Sequence, residues 1–341
     1  MTPTNSAAWR MPAEWEPHEG CLMAWPTRRE LWRHHFEEAA REYAATAAAI
    51  SAFEPVTMVA APGEAVAARA MLPSAVTVIE LPIDDSWMRD SGPIFTIDAD
   101  GRRAGVDFVF NSWGEKFAPW DLDAAIAAAL LTHLGEERRP SPMVLEGGSI
   151  TVDGAGTLIT TEQCVLHPSR NPGMTRADIE AEWRRTLGVD TVIWMPWGLV
   201  EDIHTDGHVD NVCAFVRPGV VITQSCDDPT NPNDGLMRDN LAVLRAATDA
   251  TGAALDVIEL PQMSYFDIDD APYRTSYLNF YIANGGVVVP TADHPNDADG
   301  LAIIAAAFPE REVVGVPSRV LAYGGGGIHC ITQQVPLGVA R

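Results

Sequence analysis

NVCAFVRPGVVITQS, residues 211–225, decides the fold. Two runs rich in β-branched and apolar residues flank Pro218-Gly219, which supplies turn chemistry, so the stretch predicts a β-hairpin. A helical pattern from about Asn233 to Thr251 comes next, and then a third strand-like run, LDVIELP (255–261). Hairpin, helix and strand make one cycle.

The same order recurs on either side. MVLEGGSITVD (143–153) and TLITTEQCVL (157–166) predict a hairpin turned at Gly154-Ala155-Gly156, followed by a helix near Arg176–Leu187 and TVIWMP (191–196). PIFTID (93–98) and GVDFVFNSWG (105–114) precede a helix at Asp121–Leu134. YLNFYIANGGVVVP (277–290), a helix near Asp297–Phe308 and EVVGV (312–316) form another cycle. Near the start, a helix is expected over Arg28–Phe53, with Leu31, Phe36, Tyr43 and Ile50 on one face. VTMVAA (56–61), a short helix at Gly63–Leu72 and VTVIELP (76–82) follow. About five cycles of roughly 60–70 residues are marked out, a repeat of element order rather than of sequence. The stretch up to Pro26 reads as an irregular cover. No linker divides the chain, so residues 1–341 are expected to form a single domain with an irregular segment at about 1–10. A dinucleotide-binding sheet is disfavoured, since no GxGxxG opens a helix.

Composition narrows the function classes. Against 47 acidic residues stand 23 Lys plus Arg, a formal charge of −24. Such a surface repels nucleic acid and anionic membranes and favours small cations. No apolar run is long enough to span a bilayer, and the first residues lack the basic-then-apolar order of a signal peptide. A cytoplasmic protein is the expectation. Five scattered cysteines (21, 164, 213, 226, 330) without a CxxC pair argue against a disulfide framework and a structural zinc site.

Four polar clusters interrupt the strand ends: Asp84–Pro93, Glu146-Gly147-Gly148, His204–Asn211, and Tyr323-Gly-Gly-Gly-Gly-Ile-His-Cys330. Each member has a bland reading. Cys330 can be a small core residue, Asp90 a turn cap, Glu146 a hairpin residue and His208 a buried histidine. A zinc set of His204, His208 and Asp210 is a further alternative, weakened because Thr-Asp-Gly between the histidines is turn chemistry and breaks helical ligand spacing. The combination points elsewhere. Several carboxylates in one cleft bind a planar cation with many N–H donors, a guanidinium; a cysteine attacks its carbon; a histidine moves the proton.

MPAEWEPHEG (11–20), WMRDSGP (87–93), PWDLD (119–123), LEGGSI (145–150), TTEQCVLHPSRNP (160–172), GHVDNVCAFVRPG (207–219), SYLNFYIANGGVVVP (276–290) and GGGGIHCITQQ (324–334) resemble the agmatine deiminases. These belong to the guanidine-modifying superfamily and its peptidylarginine-deiminase-like group. The resemblance covers almost the whole chain. It implies a five-bladed, pseudo-symmetric α/β propeller, or pentein, with the site at its centre. It also implies Cys330 as nucleophile, His208 as general acid/base, Asp90 and Asp210 on the guanidinium nitrogens, and Glu146 in support. Trp87 and Gly327 would shape the pocket. The implied reaction needs no cofactor or metal: agmatine and water give N-carbamoylputrescine and ammonia, a step toward putrescine. Its implied partners are a small cationic guanidine and, in a homodimer, a second copy of the chain. Familiar members carry an acid where His204 stands, and longer segments between Trp113 and Pro119 and between Pro261 and Ser276. His204 therefore bears on the substrate's tail. Arg274 either accepts a carboxylate tail, favouring a guanidino acid, or lies on the solvated surface.

Overall fold

Three strands repeat with one topology in the computed structural model, which describes residues 9–339. In each unit a first strand pairs antiparallel with a second, and a helix crosses over to a third that pairs parallel with the second. Blade 1 comprises Ile94–Ile97, Arg103–Val109 and Glu137–Val144, with helix Asp121–Leu134. Blade 2 comprises Ile150–Val152, Thr157–Thr161 and Thr191–Met195, with helix Arg176–Leu187. Blade 3 uses Cys213–Arg217, Val220–Ser225 and Asp256–Pro261, with helix Asp234–Ala246. Blade 4 uses Tyr281–Ala283, Gly286–Thr291 and Glu312–Pro317, with helix Asp297–Ala307.

Blade 5 joins the chain ends. Thr332–Pro336 pairs antiparallel with His18–Ala24, which runs parallel to Val56–Ala60 across helix Phe36–Ser51; Thr77–Glu80 adds a fourth strand. Each crossover helix also leans on the preceding blade. Phe36–Ser51 meets the outer strands of blade 4, Asp297–Ala307 meets blade 3, Asp234–Ala246 blade 2 and Arg176–Leu187 blade 1. Ile126 and Leu130 of blade 1 pack with Val59 and Ile79 of blade 5. The ring therefore closes, as a five-bladed propeller requires, and its edge is sealed by the last strand rather than left open.

Local signals set the helix ends. Thr175 and Asp178 form a reciprocal capping box at the start of Arg176–Leu187, and Gly188 ends it in a left-handed conformation (φ 71°). The largest differences from expectation lie where polar loops interrupt apolar runs. The cover up to Pro26 contains a strand, His18–Ala24, because it has partners on both sides. The helix expected over 28–53 breaks at Arg33 (φ 51°) into Arg29–Trp32, a 3₁₀ turn Arg33–His35 and Phe36–Ser51. The run 143–153 is not one strand: Gly147–Ser149 form a 3₁₀ turn inside it. Glu137–Val144, the hairpin Phe266–Ile268/Ala271–Tyr273 and Thr332–Pro336 were not expected as strands. Of the irregular segment expected at 1–10, residues 1–8 lie outside the described residues, while Arg10 bridges to Ile97. Among the described residues, no helix is long and apolar enough to cross a membrane.

Candidate active site

The loop entering the first strand of every blade delivers a polar side chain to the axis. These are Asp90 for blade 1, Glu146 for blade 2, His208 and Asp210 for blade 3, Asn279 for blade 4 and Cys330 for blade 5. All are buried. Irregular backbone at the centre is tolerated because its polar groups find one another.

The Cys330 Sγ lies 3.5 Å from Asp210 Oδ2 and accepts a hydrogen bond from Asn279 Nδ2 at 3.3 Å. Asn279 Oδ1 in turn accepts from the His329 amide at 3.0 Å, which fixes the turn carrying the thiol. Burial, then the charges of Asp210 and Asp90, push the thiol well above its ordinary range. The free site therefore holds a thiol that a cation between these acids would help ionise. It is not the electropositive setting that usually activates a cysteine.

His208 is enclosed. Its Nδ1 stands 3.8 Å from Asp90 Oδ1 and its Nε2 3.9 Å from Glu146 Oε2, and among the described residues neither ring nitrogen has a partner at hydrogen-bond distance. Burial opposes charge on the ring, but the Asp90 carboxylate and further neighbours prevail and hold its proton well above the ordinary histidine range. Asp90 accepts from Trp113 Nε1 at 2.8 Å and from the Gly148 amide at 2.9 Å. Gly148 sits at the convergence point: a Cβ there would come within 2.6 Å of His208 Nδ1 and 2.8 Å of Asp210 Oδ2. Only glycine leaves that space.

Residues beyond those expected complete the centre. Arg170 Nε donates to Glu146 Oε1 at 2.6 Å and Nη1 to Asp206 Oδ2 at 2.8 Å. Burial works against the Glu146 charge, yet His208 and Arg170 keep its carboxyl below the usual range. His329 bridges Asp210 Oδ2 through Nδ1 and Glu14 Oε1 through Nε2, each at 2.9 Å. The sequence put His329 beside Cys330 and Glu14 inside a recognised motif, but gave no sign that the two meet. Cys164 is the third member of a compact group with His208 and Glu146.

A narrow cavity of about 20 Å³ opens onto Cys330 and Asp90, walled by Trp87, Trp113, Phe117, His204 and Gly324–Gly326. Trp113, in a left-handed backbone conformation (φ 54°) that a bulky residue rarely takes, presents its indole N–H to Asp90. Gly327 faces Asn279 rather than the cavity, where a Cβ would come within 2.5 Å of Asn279 Oδ1. His204 stacks on Phe117, ring centroids 5.5 Å apart, and burial lowers its pKa. It is thus a neutral wall and not a cation.

Two expectations are corrected. His204, His208 and Asp210 do not form a ligand cluster among the described residues, because His204 lies on the cavity wall and His208 in the centre. Arg274 is neither solvated nor free. Its side chain is 3% exposed, its Nη2 meets Glu201 Oε1 at 2.8 Å, and its guanidinium covers the Tyr265 ring. Tyr265 also hydrogen-bonds Glu201. A carboxylate tail would have to displace Glu201.

Fold and centre together define a class: an α/β ring whose loops converge on a buried cysteine, a histidine and several carboxylates. The model of the Porphyromonas-type peptidyl-arginine deiminases matches residues 10–336, and the chain belongs to that family. It is 44% identical to the agmatine deiminase of Stutzerimonas stutzeri over 97% of this chain and 96% of that one. Identity to the agmatine deiminase of Pseudomonas aeruginosa (strain UCBPP-PA14) is 46%, over 96% and 95% of the two chains. The solved agmatine deiminase of Enterococcus faecalis superposes with a TM-score of 0.93 at 35% identity, covering 96% of each chain.

Proposed function

We propose that the protein is a hydrolase that deiminates agmatine to N-carbamoylputrescine and ammonia through a covalent cysteine intermediate. The observation that carries this reading is the cavity that ends on Cys330, with Asp90 on its wall and Asp210 Oδ2 3.5 Å from the thiol. Two carboxylates beside one sulfur suit a guanidinium, whose N–H groups match carboxylate oxygens while its carbon faces the nucleophile. The relatives named above support agmatine as the guanidine, and the neutral His204 does not repel an ammonium tail.

The residues divide the work. The guanidinium settles between Asp90 and Asp210, and its charge offsets the repulsion that keeps the thiol protonated. Sγ bonds to the guanidinium carbon as the thiol proton passes to solvent through the cavity mouth. His208, held protonated by its neighbours, gives a proton to one nitrogen, and the C–N bond to that nitrogen breaks to release ammonia. The remaining S-alkylthiouronium is attacked by water, whose proton passes to the now neutral His208. Collapse breaks the C–S bond as the proton of the new hydroxyl passes to the sulfur, leaving a urea product and the Cys330 thiol. Glu146, tied to Arg170, supports the cycling charge on His208. Trp87 lines the wall beside the cation.

Ammonia release from agmatine, arginine, 4-guanidinobutyrate and methylguanidine, each with a Cys330→Ala control, tests this. Preference for agmatine with an inert control is expected. Equal activity of the control would sink the covalent route, and preference for 4-guanidinobutyrate would sink the substrate.

A further inference from the structure

Away from the centre, three side chains meet at the rim of the vestibule that leads to the cavity. His34 Nε2 lies 3.2 Å from Asp269 Oδ1, and His35 Nε2 lies 3.1 Å from Asp269 Oδ2. We propose that His34, His35 and Asp269 form a site for a divalent transition metal of the zinc class, which pins the hairpin 266–273 to the turn 33–35.

The three side chains gather donors that one ion could share. One ligand atom from each residue lies within 4.8 Å of the others. A tetrahedral ion with bonds of about 2.0–2.1 Å holds its ligand atoms about 3.3 Å apart, and each histidine nitrogen lies near that spacing from one of the two Asp269 oxygens. Two imidazoles and one carboxylate are a donor set that zinc accepts, with a fourth position left for water. The second ring nitrogen of His35 is also placed: Nδ1 faces Glu38 Oε2 at 3.7 Å. A carboxylate behind a ligating histidine orients the ring and leaves Nε2 to bind metal. The His35 ring is further fixed edge-on against Tyr323, centroids 4.9 Å apart.

Asp269 reaches the histidines because the hairpin turn is built to point it there. Asp269 and Asp270 both take positive φ (52° and 61°), the pattern of a tight two-residue turn that Asp tolerates. The His34 side chain is 66% exposed and that of Asp269 43%, so an ion can enter. Asp269, Tyr273, Arg274 and Tyr323 line the vestibule, so an ion here would restrain one of its walls.

Metal-free Cys330→Ala protein titrated with Zn²⁺ tests the site without involving the nucleophile or turnover. One site is expected, and His34→Ala/His35→Ala in the same background should weaken it by more than about tenfold, as loss of direct ligands costs at least what loss of their supports does. Asp269→Asn, which keeps the turn's shape, should weaken it as well. Unchanged affinity in these variants, or a thiolate charge-transfer band when Co²⁺ replaces Zn²⁺, would overturn the assignment. Amide exchange in residues 265–273 should slow on adding Zn²⁺ to the parent but not to the double variant. Exchange indifferent to the ion would remove the pinning role.

Discussion

Asp90 and Asp210 flank one sulfur from two blades, yet their surroundings differ. Both Asp90 oxygens are held by neutral donors, the Trp113 indole and the Gly148 amide. Burial raises its pKa, with Asp210 and Glu146 adding to the rise and His208 opposing it. Asp210 has one oxygen on His329, whose pKa Glu14 and Asp210 raise against burial and Arg89, and a second, Oδ1, buried without a partner among the described residues. Burial works against its charge too, but His329 holds it below the ordinary range. Two acids of one type thus differ because one rests on dipoles and the other on a histidine whose charged form its neighbours favour. Asp210 is held as the anion with a lone pair to spare, and Asp90 is the acid whose proton affinity burial raises.

Removing the sulfur should have the largest effect: Cys330→Ala should lower turnover by roughly 10⁴-fold or more with little change in melting temperature. Asp210→Asn should follow with about a 10²–10³-fold loss in kcat/KM, since it takes away the charge that is present at every working pH. Asp90→Asn should cost less, about 10–100-fold; a larger loss than for Asp210→Asn in parallel assays would reverse the comparison.

Trp113→Phe should be milder, roughly tenfold, the worth of a hydrogen bond to a charged group. That donor lowers the pKa of Asp90, so its removal should move the acid limb of the kcat/KM profile to higher pH. An acid limb that stays in place would show that Asp90 does not set it.

Glu14→Gln sharpens the comparison through stability. His329 and Arg89 bring Glu14 down to about 2 against the cost of its burial, so its contribution is present above about 4.5 and lost as pH falls toward 2. The variant should be less stable than the parent at neutral pH and less sensitive to acid between those values, as read by thermal melts. The smallest effect is expected of His204→Glu, a few-fold gain on amine-tailed guanidines if this wall meets the tail; unchanged preference would take it out of the tail's path.

Much of this was legible in the chain. The hairpin at 213–225 lies where the two apolar runs around Pro218-Gly219 placed it, and helices 121–134 and 176–187 match their expected limits. Period and turn chemistry are local, so they survive in the sequence. Strands such as Glu137–Val144 were hidden because ERRPSPMV has no β-forming pattern and its strand pairing is to Arg103–Val109 of the same blade. The same holds at the centre. Cys330, His208, Asp90, Asp210 and Glu146 announced themselves as polar groups at strand ends, while Asn279 was lost inside an apolar run and Arg170 in a loop. Glu14 and His329 stand 315 residues apart.

By itself the sequence determined the repeated strand-helix order and the residue types that reach the axis, because periodicity, glycine placement and polar interruptions act within a few residues of themselves. The proton affinities came from the assembled fold: that His329 lowers the pKa of Asp210 against burial, that Cys330 is a thiol among acids, and that Arg274 is already bound to Glu201. Those depend on desolvation and on charges a few ångströms away, and the closing of the ring brings such charges together from opposite ends of the chain.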